Sequence, residues 1–90
     1  MNFLPAELVG GPQGLEAGFR PEWIEVGSGN IECRVDSLEV VGELRYLFCS
    51  HGPQTVTLLS REPYNVGDSV RFEVTRYNLY REGRLLEDKH

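Results

Sequence analysis

Glycine and proline break this chain at short intervals, ten glycines and five prolines in 90 residues. Between them apolar and polar residues tend to alternate, so no helical period has room to establish itself. A chain so punctuated can bury apolar surface only by pairing short strands. Residues 31–36 give the clearest case: Ile31, Cys33 and Val35 point one way, and Glu32, Arg34 and Asp36 the other. Leu38 and Val40 lie an odd number of residues beyond Val35, so a bulge near Asp36-Ser37 keeps both sets inside. Bulges of this kind bend strands toward closure.

The same reading predicts strands over residues 3–9, 15–20, 43–50, 54–59, 69–75 and from Tyr77 onward, with Gly83 turning the chain into Arg84-Leu85-Leu86. Leu44, Tyr46 and Phe48 are assigned to one face, and Val70, Phe72 and Val74 to another. Trp23 to Val26 form a brief apolar anchor, residues 27–30 a turn, and residues 87–90 a frayed end. About seven short antiparallel strands with tight connections and little or no helix make an all-β fold, a small sandwich or barrel over residues 1–90.

Hydrophobic residues at 40% and charged residues at 26% are a globular balance, far from that of disordered chains. One domain of this length buries only roughly 60–65% of its unfolded surface, so its core is small. The formal charge of −5 repels phosphodiester chains and anionic lipid headgroups, and no nucleic-acid partner is expected. No apolar run approaches the roughly 20 residues of a membrane span, and the N-terminus lacks a signal-peptide pattern; the expected setting is cytoplasmic.

Catalytic patterns are missing from the sequence. There is no phosphate loop, and Gly27-Ser28-Gly29 and Gly11-Pro12-Gln13-Gly14 read as ordinary turns. Cys33 and Cys49 lack metal or redox spacing and read as buried thiols. His51, in a loop two residues from Cys49, and the terminal His90 have no neighbouring carboxylate cluster, so no metal site is assigned. Tyr46, Phe48, Phe72, Tyr77 and Tyr80 could stack bases only in a positive groove, yet glutamates interleave with them as often as arginines; they are assigned to packing. Arg20 and Glu22 flank Pro21, which sets a strand end or edge; a ligand contact, an interdomain salt bridge and an internal pair that fixes the strand end are the roles open to them, the internal one is favoured, and Asp68 is one candidate carboxylate for Arg20.

In order along the chain stand Asn2-Phe3-Leu4-Pro5, Gly18-Phe19-Arg20-Pro21-Glu22, Val66-Gly67-Asp68-Ser69-Val70 and Leu79-Tyr80-Arg81-Glu82-Gly83-Arg84-Leu85. This order resembles the C-terminal TOBE region of ABC-importer ATPase subunits, a small OB-like β-barrel. The resemblance implies an accessory regulatory and dimerisation domain, non-catalytic in itself, of the subunit that powers an importer of sugars or related small solutes. The resemblance also implies a nucleotide-binding domain ahead of Met1 that would hold ATP and magnesium, and it implies no cofactor for this chain. The implied partners are that domain, a second copy in the ATPase dimer and, through the parent chain, membrane permease subunits, at the inner face of the cell membrane. Gly18, Arg20, Pro21, Glu22, Gly67 and Asp68 are the family-motif positions, read as structural. In longer family members many residues separate the first two motifs; here only residues 6–17 do, so the first lobe of the barrel is reduced. A related branch of the family binds molybdate-like oxyanions, which makes oxyanion sensing the second reading; single-stranded nucleic-acid binding is the third.

Overall fold

A computed structural model describes the backbone of residues 1–89 and side chains through Leu86; His90 lies outside the described residues. The chain forms β1 (Asn2–Pro5), β2 (Glu16–Phe19), β3 (Ile24–Val41), β4 (Leu44–His51), β5 (Gln54–Ser60), β6 (Ser69–Val74), β7 (Tyr77–Arg81) and β8 (Arg84–Lys89). Two short 3₁₀ turns, Ala6–Val9 and Pro21–Trp23, are the only helical elements among the described residues. The strands make two antiparallel four-stranded sheets, in the orders β1-β2-β7-β8 and β5-β4-β3-β6. The fold is all-β, as the glycine and proline punctuation predicts.

β3 holds the architecture together. Its first part pairs with β6 and its last part with β4. In the β4 pairing the register shifts between Val35 and Ser37, which leaves Asp36 without a partner, and this is the expected bulge. Residues 27–30 are not a turn between two strands, as the sequence suggests. They are an excursion inside β3, because Val26 and Ile31 both pair with Phe72. Gly29 makes this possible: its φ is +109°, and a Cβ there would lie 2.3 Å from the Phe72 carbonyl oxygen.

The core is built on Phe19, Phe72, Leu4, Leu47 and Leu58, none more than 1% exposed. Val70 and Phe72 are buried as predicted. β4 runs in the opposite phase to the one predicted: Leu47 and Cys49 are inside, whereas Phe48 is 39% exposed. Tyr46, Leu47, Phe48 and Cys49 are consecutive and apolar, so alternation alone does not fix the phase. Pairing of Leu47 with Leu58 and of Cys49 with Val56 on β5 decides it. Past the bulge Leu38 packs against the core as expected, whereas Val40, on the same face nearer the strand's end, is 57% exposed. The first strand also stops early. Pro5 has no N–H to extend the ladder, and residues 6–9 wind into a 3₁₀ turn that buries Ala6 and ends at Gly10. At the other end β8 continues to Lys89, through residues expected to fray.

The two sheets are joined at one edge by a side chain. The Asn2 amide donates from Nδ2 to the Thr57 carbonyl and accepts at Oδ1 from the Thr57 N–H, both at 2.8 Å, and so mimics a strand pair between β1 and β5. Asn2 is 7% exposed. Asn2→Ala leaves both Thr57 groups short of a partner and is expected to cost about 2 kcal/mol of unfolding free energy in a urea titration. A cost below ~0.5 kcal/mol would mean that water replaces the amide there.

Candidate functional site

Gly18 sits in β2 with Phe3 and Asn78 as its cross-strand neighbours. A Cβ at Gly18 would lie 2.5 Å from the Tyr80 ring and 3.0 Å from the Phe3 ring. Glycine therefore leaves room for the edge-to-face Phe3–Tyr80 pair, whose centroids are 5.3 Å apart at an interplanar angle of 76°. The Tyr80 hydroxyl reaches Met1 Sδ at 3.6 Å. Residues from the first, second and fourth sequence motifs thus meet at one patch.

Arg20 is extended, Pro21 opens the 3₁₀ turn Pro21–Trp23, and Glu22 is exposed within it. This is the strand end predicted from the proline. Arg20 does not pair with Asp68; its guanidinium carbon lies 5.9 Å from the Trp23 ring centroid. Gly67 and Asp68 instead dock the β5–β6 connection onto the bulge of β3. The Gly67 N–H donates to the Val35 carbonyl at 2.8 Å, and the Val35 N–H donates to the Asp68 carbonyl at 2.9 Å. Asp68 Oδ2 accepts from the Asn65 N–H at 2.8 Å, which closes the turn. Both glycines and Asp68 thus serve the scaffold.

Beside that turn lies an open cleft of about 300 Å³, bounded by Glu32, Cys33, Arg34, Ser50, His51, Gly52, Gly67 and Ser69. Cross-strand register explains it. Arg34 on β3 is opposite Ser50 on β4 and Ser69 on β6, so one guanidinium stands in a row between two hydroxyls on the outer face of the sheet. Arg34 Nε lies 3.9 Å from Asp36, and Glu32 lies 3.9 Å from Arg71, so two carboxylates border the row. Nothing in the linear sequence brings Ser50 and Ser69 to Arg34; their approach depends on register.

His51 Nδ1 is 2.6 Å from the Glu32 carbonyl oxygen. A carbonyl only accepts, so Nδ1 carries the proton and is engaged with the backbone rather than with a thiol. Cys33 and Cys49 are free and buried. Their mutual hydrogen bond, reinforced by burial, holds Cys49 well above the usual thiol range. The same bond draws Cys33 down, against burial and the nearby Asp36 and Glu32 charges.

Among the described residues no group of three or more His, Cys, Asp or Glu side chains is placed to hold a metal ion. No helix there is long and apolar enough to cross a membrane. No family model, curated protein or solved structure matches the chain.

Proposed function

We propose that the chain is a TOBE-type accessory domain of the ATP-hydrolysing subunit of an ABC importer for sugars or related small solutes, regulatory and dimer-supporting rather than catalytic. In this reading it works at the cytoplasmic face of the membrane, fused behind a nucleotide-binding domain that supplies ATP and magnesium chemistry, and reaches the permease subunits through that parent chain. The observation that carries it is the meeting of Phe3, Gly18 and Tyr80, members of three separate motifs, in one tight contact. The all-β fold and the scaffold role of Gly67 and Asp68 are in keeping with it. The natural coding sequence tests it. An open frame running upstream of Met1 through a phosphate loop is the expected result; a stop codon and ribosome-binding site immediately ahead of Met1 would overturn the motor-subunit reading.

One observation favours oxyanion sensing as the second reading. The Ser50–Arg34–Ser69 row offers a guanidinium between two hydroxyls, beside the glycines of two turns. Asp36 and Glu32 oppose an anion there, which places this reading second. If it holds, molybdate at a hundredfold excess over Kd stabilises the fold by about 2.7 kcal/mol. Thermal denaturation with and without molybdate reads the effect, and Arg34→Gln is expected to abolish it. The nucleic-acid reading gains nothing from the fold: exposed Phe48 is flanked by Ser37 and Thr57, and Tyr46 by Glu39 and Leu59, with no cation in either row.

A further inference from the structure

Trp23, the chain's one tryptophan, is half-buried at the end of the turn Pro21–Trp23. Its carbonyl accepts from both the backbone N–H and the hydroxyl of Thr75, each at 2.8 Å. Its own N–H donates to the Arg20 carbonyl at 2.9 Å. These bonds continue the β3–β6 ladder one pair past Ile24 and Val74. They also bring two guanidinium groups from distant parts of the chain to one indole. The Arg76 guanidinium carbon lies 4.6 Å from the ring centroid and that of Arg20 5.9 Å. Both arginines are exposed, and the ion pairs found among the described residues involve Arg34, Arg61 and Arg71 instead.

Stacking engages the flat face of a guanidinium and leaves its in-plane N–H donors free to fork a carboxylate. The indole orients those donors in advance, which lowers the entropy lost when a partner arrives. We propose that Arg20, Trp23 and Arg76 form a docking site for an acidic segment of a partner polypeptide, whose Asp or Glu carboxylates are forked by the two guanidinium edges. It stands whether or not the chain belongs to an importer.

Two features favour a carboxylate-bearing peptide over a nucleic acid. Arg76 covers a face of Trp23 that a base would need for stacking. Two residues further along the strands, about 7 Å away, Glu25 stands directly opposite Glu73. A phosphodiester chain carries a charge at every nucleotide, so its neighbouring phosphates would run onto those two glutamates. A peptide can present one or two carboxylates at the arginines and a neutral or basic residue beyond them.

The test is fluorescence anisotropy of a labelled short polyglutamate peptide at low ionic strength, with Trp23 emission locating the contact and polylysine and oligothymidylate as comparisons. The expected result is saturable binding of polyglutamate that perturbs Trp23. Arg20→Gln combined with Arg76→Gln weakens it roughly tenfold to hundredfold. Glu25→Gln combined with Glu73→Gln strengthens it about threefold by removing the adjacent repulsion. All four side chains are exposed, and far-UV circular dichroism establishes that the variants fold. Three results would overturn the assignment: no saturable binding to the wild-type chain, equal binding to the double arginine variant, or tighter binding of oligothymidylate than of polyglutamate.

Discussion

Phe72→Ala is expected to lower the melting temperature by roughly 15–30 °C, followed by circular dichroism. Phe72 is fully buried and is the one residue of β6 that pairs with both Val26 and Ile31, on either side of the excursion in β3. Truncating a buried phenylalanine costs about 3–5 kcal/mol in transfer free energy and cavity formation. A domain of this size has in total only about 5–13 kcal/mol to lose. A drop of less than ~5 °C would show that the core closes over the gap and that β3 and β6 hold together without this ring.

Gly29→Ala attacks the same contact from the backbone. Its φ of +109° is a conformation that residues with a Cβ rarely adopt, and the added methyl would overlap the Phe72 carbonyl and the Glu73 Cβ, at 2.3 and 2.8 Å. Dihedral strain and overlap together are expected to cost about 3 kcal/mol or more. Gly42→Ala is the matched control. Gly42 also has a positive φ, +61°, but nothing lies within 4 Å of its would-be Cβ. Its cost should stay near ~1 kcal/mol, the strain of a left-handed residue alone. Urea unfolding of the two variants separates the terms; equal losses would mean that β6 shifts to admit the methyl at position 29 without cost.

How far the sequence reveals the fold varies with the residues. Where charges alternate with apolar side chains, as over residues 31–36, the buried face is legible, and the odd spacing of Leu38 from Val35 gives away the bulge. Where four apolar residues run together, as at Tyr46 to Cys49, the phase belongs to the partner strand and cannot be read from one segment. The excursion at residues 27–30 looks like a turn because its glycines are turn residues. Only the shared partner Phe72 shows that the strand resumes beyond them in the same ladder.

The candidate sites follow the same rule. The structural use of Gly18 and Gly67 could be anticipated, since glycine in a strand or turn signals close approach or an unusual dihedral angle. The Ser50–Arg34–Ser69 row joins three strands, and the Trp23–Arg76 stack joins the start of β3 to the connection between β6 and β7. Both depend on register, which the linear pattern does not carry. Asp68, one candidate partner for Arg20, does not meet it for the corresponding reason: Asp68 is committed to the Asn65 turn at the β3 bulge, and Arg20 lies against the Trp23 indole three residues on.

The strand order of the first sheet bears on how the molecule is made. β1 pairs only with β2 in that sheet, and the other partner of β2 is β7, with Ala17 opposite Leu79. During synthesis the first two strands therefore wait for roughly sixty further residues before their sheet can exist, a delay of several seconds at ribosomal speed. Over that interval β3, β4 and β5 can zip as local hairpins, because β3 pairs with β4 and β4 with β5. Emergence of β7, rather than of β1, is then the event that completes the first sheet.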